Sequence, residues 1–114
     1  MREMAESKNI FQREISLGKA FKDKSKEEFY KEFSSLMESG IDIQRTMQIL
    51  IEEQGNKRVK PILEGISERL ILGSSLAEAL EMSGHFSSYE YQSIRIGEET
   101  GRLPKILKHL ASYY

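Results

Sequence analysis

Glycine and serine recur along this chain at intervals that leave room only for short elements. Gly40, Gly55, Gly73, Gly84 and Gly101 each close an amphipathic run. Glycine suits the left-handed backbone position that ends many helices. Ser25-Lys-Glu-Glu28, Ser75-Leu-Ala-Glu78 and Ser87-Ser-Tyr-Glu90 carry the spacing of a capping box. In that motif the serine hydroxyl accepts a backbone N–H of the first turn, and the glutamate reaches back to the serine's own N–H. Starts and stops that alternate in this way predict a series of short helices joined by tight turns.

The apolar residues between these marks have helical spacing. Phe29, Phe33, Leu36 and Met37 share one face, as do Ile43, Met47, Leu50 and Ile51. Asp42 is placed to cap the second helix, and Asn56 or Lys57 to start the third. Pro61 then falls in the third helix's first turn, where a missing N–H costs little. Val59, Ile62, Leu63, Ile66 and Leu70 form its inner face, and Leu76, Ala79 and Leu80 that of the fourth. Tyr91 and Ile94 serve the fifth; Ile106, Leu107, Leu110 and Tyr114 serve the sixth, which starts at Leu103-Pro104. There is no sustained apolar–polar alternation and no Asn-Gly or Asp-Gly pair to signal a hairpin. The expected fold is all-α, a six-helix bundle of short antiparallel helices over residues 25–114. Met37-Glu-Ser-Gly-Ile-Asp-Ile faintly echoes Glu98-Glu-Thr-Gly-Arg-Leu-Pro, which allows two related three-helix halves. Residues 1–24 read as an N-terminal arm, flexible or docked. Ile10, Phe11, Ile15, Leu17 and Phe21 are apolar there, interrupted by Gly18 and lysines.

Composition narrows the function classes. Seventeen Lys and Arg against 18 Asp and Glu give a formal net charge of -1, so nothing electrostatic points to nucleic acid. The absence of cysteine excludes disulfides and thiolate metal sites. No apolar run exceeds three residues, far short of the roughly 20 that a membrane span needs. His85 and His109 lack a metal-ligand spacing, no serine stands in a G-x-S-x-G elbow, and no phosphate-binding loop occurs. The residues expected are therefore not catalytic, cofactor-binding or metal-binding.

Ile94-Arg-Ile-Gly-Glu-Glu-Thr-Gly-Arg-Leu-Pro104 reads as a helix end, a glycine stop and a new helix start. Gly97, Glu98, Glu99 and Gly101 form a candidate interaction or packing corner. Ion pairs from the two glutamates to Arg95 or Arg102, or contact with a partner subunit, suit them better than a metal. A pure contact role predicts that Glu98→Ala leaves melting nearly unchanged. Gly65 and Gly97 lie inside helices, where glycine costs roughly 1 kcal/mol relative to alanine. Close helix approach is the expected compensation, with the first or third helix packing against Gly97.

Four segments in order resemble one family. Phe29-Tyr-Lys-Glu-Phe-Ser-Ser-Leu-Met-Glu-Ser-Gly-Ile-Asp-Ile is similar to the opening of the cytoplasmic domain of type II secretion F proteins and type IV pilus platform proteins. Leu72-Gly-Ser-Ser-Leu-Ala-Glu-Ala-Leu80 resembles the family's Gly-x-Ser-Leu-x-x-Ala-Leu segment, and Phe86 its phenylalanine before the fifth helix. Gly97-Glu-Glu-Thr-Gly-Arg-Leu103 resembles its Gly-Glu-x-(Ser/Thr)-Gly-x-Leu segment, with Leu107 and Leu110-Ala-x-Tyr113 following. The resemblance implies a six-helix domain on the cytoplasmic side of the bacterial inner membrane and no enzyme. It implies partners: an assembly ATPase, other inner-membrane platform components, further copies of itself, and the membrane through helices that the family carries beyond this stretch. The alternative is a stand-alone soluble helical adaptor or regulatory interaction domain.

Overall fold

The computed structural model describes residues 21–114. Residues 1–20, most of the expected arm, lie outside the described residues. The elements are α1 (Asp23–Glu38), α2 (Ile43–Glu53), α3 (Val59–Ile71), α4 (Leu76–Ser83), α5 (Ser88–Thr100) and α6 (Leu103–Tyr113). All six expected helices are present, and among the described residues there is no strand.

The helix ends show which capping rules hold. Asp42 accepts the Arg45 N–H at 2.9 Å and caps α2. Ser75 accepts the Glu78 N–H at 3.1 Å and caps α4. Ser87 and Glu90 complete a reciprocal box at the start of α5. Ser25 does not cap. Helix α1 starts earlier, with Lys22 as its cap and the Lys26 N–H on the Lys22 carbonyl at 2.9 Å. The physical reason is Phe21, which is buried against Phe29 and Phe86 at 5.6 and 5.3 Å between ring centroids. That contact fixes the chain's entry ahead of Ser25, and Asp23 takes the favoured acidic place in the first turn.

Gly55 also departs from its expected part. Gly40, Gly73, Gly84 and Gly101 take positive φ, but Gly55 does not. Helix α2 instead ends on Gln54 in an extended conformation. Asn56 then turns the chain, its Oδ1 accepting the N–H groups of Arg58 at 2.8 Å and Val59 at 3.2 Å. An Asx turn supplies what a left-handed glycine otherwise would.

Each helix packs on the next, and α1 closes the series by packing along α6 in the most extensive interface. The first and last helices are thus joined directly. Buried Ser34 on α1 donates to the Pro104 carbonyl at 2.9 Å, so a small side chain sits where α1 meets the start of α6. The core takes Phe29, Phe33, Met47, Leu63, Ile66 and Leu80 from the inward stripes, with Ile94, Leu107 and Leu110 from the last two helices. None of the described helices is long and apolar enough to cross a membrane.

Candidate functional site

The Ile94–Pro104 corner is built by a glycine that brings two helices together and a glutamate that ties in a third. Gly101 takes φ +70°, and its N–H and that of Arg102 both return to the Gly97 carbonyl, the latter at 2.8 Å. The chain reverses here and α6 lies against the last turn of α5. A Cβ on Gly97 would stand 3.0 Å from Ile106 Cγ1 and 3.1 Å from the Leu103 Cα. Close approach is therefore real at Gly97, but its partner is α6 rather than the first or third helix. At Gly65 nothing lies within 4 Å of the equivalent point, so close approach is absent there.

Glu98 points away from both neighbouring arginines. Its carboxylate accepts the Leu76 N–H at 2.9 Å and the Ala77 N–H at 2.9 Å. These are the first two backbone donors of α4, which have no partner within their own helix. Ser75 takes the third. A helix of eight residues is thereby capped at three successive N–H groups, with a negative charge at the positive end of its dipole. Arg95 pairs instead with Glu81 at 3.1 Å, a partly exposed bridge. Glu99 and Arg102 are exposed, and Ile96 beside them is 57% exposed. The four corner residues thus divide: Gly97 and Glu98 face other helices, and Glu99 and Gly101 face solvent.

A second polar centre lies inside the bundle. Glu90 is fully buried at the start of α5. Its Oε2 accepts the Ser87 N–H at 2.6 Å and the Lys26 ammonium at 3.0 Å, and its Oε1 accepts the Tyr30 hydroxyl at 2.7 Å. The Tyr114 ring stacks on that of Tyr30, 6.1 Å between centroids. Lys26 also stands over the rings of Phe86 and Tyr114, at 5.1 and 5.5 Å from their centroids. Burial alone raises the Glu90 carboxyl. The Ser87 N–H, the Lys26 charge and the Tyr114 and Tyr30 hydroxyls outweigh it and hold the group below the usual carboxylate range. Burial and the facing Glu90 push the Tyr30 phenol far upward, and the same two causes raise Tyr114. Both tyrosines therefore remain donors.

The chemistry of this centre is positional. Two donors on Oε2 and one on Oε1 take up most of the acceptor directions of this buried carboxylate and fix its position. What the cluster does is join three parts of the chain: the first turns of α1, the start of α5 and the end of α6. Sequence reasoning placed Glu90 in its capping box and missed Lys26, Tyr30 and Tyr114. The available signal was Lys26 and Tyr30 at i, i+4 on the Phe29–Phe33 side of α1, a cation among residues that otherwise face inward. His109 is exposed with Nε2 3.2 Å from the Tyr89 hydroxyl. His85 is half-buried in the turn after Gly84.

Residues 29–114, from the middle of α1 to the end of α6, match the family described as type II secretion system (T2SS), protein F. The type IV pilus assembly protein PilC of Myxococcus xanthus is 30% identical over 86 residues, 75% of this chain and 21% of that protein. The protein transport protein HofC homolog of Haemophilus influenzae is 26% identical over 87 residues. The type II secretion system protein F of Aeromonas hydrophila is 24% identical over 84 residues. The chain thus spans about a fifth of the length of these relatives, 21% of the second and 22% of the third. The match includes the Gly97–Leu103 corner, the Leu72–Leu80 segment that Glu98 caps, and Phe86 beneath Lys26. With residues 29–114 matched to the family and a relative 30% identical over 75% of the chain, this chain belongs to the type II secretion system protein F family.

Proposed function

We propose that this chain is the cytoplasmic domain of an inner-membrane platform protein in a type II secretion or type IV pilus machine. It couples an assembly ATPase to the addition of pilin-like subunits through protein–protein contacts. The observation that carries this reading is the family match over residues 29–114, together with the similarity to a pilus assembly protein over 86 residues and to a secretion system protein F over 84. The site chemistry supports a contact role, because the buried Glu90 carboxylate is engaged by internal donors and Glu98 by backbone donors. On this reading the exposed half of the corner, Ile96, Glu99 and Arg102, meets a partner subunit or a second copy. The buried half, Gly97 and Glu98, holds that surface in shape. The test is a pull-down of the domain against a candidate assembly ATPase and candidate inner-membrane platform components. Retention that Glu99→Arg weakens, without a change in melting, supports the reading; no retention by any of them contradicts it.

A further inference from the structure

The exposed face of α6 carries charge of one sign. Residues 101–114 contain Arg102, Lys105 and Lys108 but no Asp or Glu, in a chain whose formal net charge is -1. Leu103, Leu107 and Leu110 are buried in the core, which leaves Lys105, Lys108, His109 and Tyr113 exposed. Among the described residues neither Lys105 nor Lys108 makes a salt bridge. The open end of the α5–α6 hairpin adds aromatic rings to these cations. Tyr113 is 63% exposed and Tyr89 47%. Their rings lie 5.4 Å apart, and the Tyr89 hydroxyl is 3.2 Å from His109 Nε2. A rise of about 1.5 Å per residue puts Tyr113 about 18 Å from the Gly101 corner, so this surface is separate from Ile96, Glu99 and Arg102. The chain enters α1 at the same end. There exposed Lys22 and Lys24 flank Asp23, the carboxylate that acts on the Tyr114 hydroxyl, and the balance is again positive.

Charge and residue type together select the partner. An unpaired cationic face fits an anionic surface. Protein–protein contacts favour arginine and deplete lysine, whereas the cations beside these tyrosines are lysines. Tyrosine joins an apolar ring to a polar tip and is enriched where lipid headgroups meet water. Lysines close to an anionic leaflet strengthen attachment one by one. We propose that the α6 face of Lys105, Lys108 and Tyr113, with Tyr89 beside it, rests on an anionic lipid bilayer. The tyrosine rings enter the headgroup layer and the lysines meet lipid phosphates. This is a peripheral contact of the folded domain. It uses a different surface from the corner proposed to meet the assembly machine, and vesicle binding is read with no ATPase present, so either proposal can fail without the other.

The test is cosedimentation of the full chain with vesicles of phosphatidylglycerol mixed into phosphatidylcholine, and with vesicles of phosphatidylcholine alone. The expected result is binding to the first and not the second, weakened by added salt. Lys105→Gln combined with Lys108→Gln should lower the binding by about tenfold or more. Tyr113→Ser should lower it severalfold, with both variants still folded by circular dichroism because these side chains are exposed. Lys57→Gln combined with Lys60→Gln, the same change of charge at the exposed start of α3, should leave binding in place. Absence of binding to either vesicle overturns the proposal, as does equal binding to both. Equal loss with the α3 lysine pair and the α6 lysine pair overturns it too, since net charge rather than this face would then govern attachment. Binding to soluble polyglutamate as tight as to the anionic vesicles also overturns it, because an acidic protein would then be the occupant.

Discussion

Removing the Glu98 carboxylate tests whether the acidic corner is a cap or a contact. From sequence, Glu98 belongs to a contact surface, and its loss leaves melting unchanged. The two backbone bonds reverse that expectation. Glu98→Ala strips the acceptors from Leu76 and Ala77, each at 2.9 Å. A hydrogen bond to a charged group contributes about 1.5–3 kcal/mol, and loss of an N-terminal cap costs about 0.5–2 kcal/mol. Glu98 is half-buried, so water replaces part of what is lost, and about 2 kcal/mol is the expected net effect. For a domain of this size each kcal/mol moves the melting temperature by about 4–8 °C. Thermal denaturation followed by circular dichroism should then show Glu98→Ala melting about 8–16 °C below the parent. Glu98→Gln, which keeps one carbonyl acceptor, should fall by roughly half as much on the same scale. Exposed Glu99→Ala is the control and should change stability by no more than about 0.5 kcal/mol. If Glu98→Ala melts with the parent and with Glu99→Ala, the capping argument is wrong.

Other outcomes follow from the same geometry. Gly97→Val should destabilise clearly, by about 1–3 kcal/mol, because the Leu103 backbone cannot withdraw; an unchanged denaturant midpoint would refute tight packing there. Tyr30→Phe should cost about 1.5–3 kcal/mol by removing a buried donor to a charged acceptor, measured by urea unfolding. The Glu90 carboxyl is held below its ordinary value of 4.5, so its contribution is fully present above that value and is lost as pH falls through the lower folded value. Acid unfolding should therefore steepen below about pH 4.5, and Glu90→Gln should flatten that limb while lowering stability at neutral pH. Glu32 acts in the opposite direction, raised by burial and by Glu53 and Glu28, but it is exposed and solvent screens it, so Glu90 should set the slope.

The helices were legible because local rules suffice for them. Asp42, Ser75 and Ser87 cap where their side chains predict, and the stripes Phe29–Phe33, Leu63–Leu70 and Leu107–Leu110 face inward at helical spacing. Ser25 misled because a tertiary anchor, Phe21 on Phe86, set the start of α1 ahead of its capping box. Gly55 misled because Asn56 already turned the chain. The site was less legible, since its bonds join residues far apart in sequence. Glu98 meets Leu76 and Ala77 across 22 and 21 positions, and Glu90 meets Lys26 across 64. A strict count of backbone donors at α4 shows that Ser75 alone leaves two N–H groups unpaired, so the need for an acceptor was visible. The acceptor's identity was not, because no local pattern ties the end of α5 to the start of α4. Gly97 was recognised as a packing glycine, while its partner helix required the chain reversal at Gly101 to be seen.

The central claim is that this fold presents a contact surface to a secretion or pilus assembly machine. It is tested most directly by titrating the domain with a candidate assembly ATPase and measuring heat of binding for the parent and for Glu99→Arg. Saturable binding by the parent, weakened at least severalfold by a substitution that leaves the melting temperature in place, is the predicted result. Binding that is absent, or that Glu99→Arg leaves untouched, would contradict the assignment of the exposed corner as the contact surface.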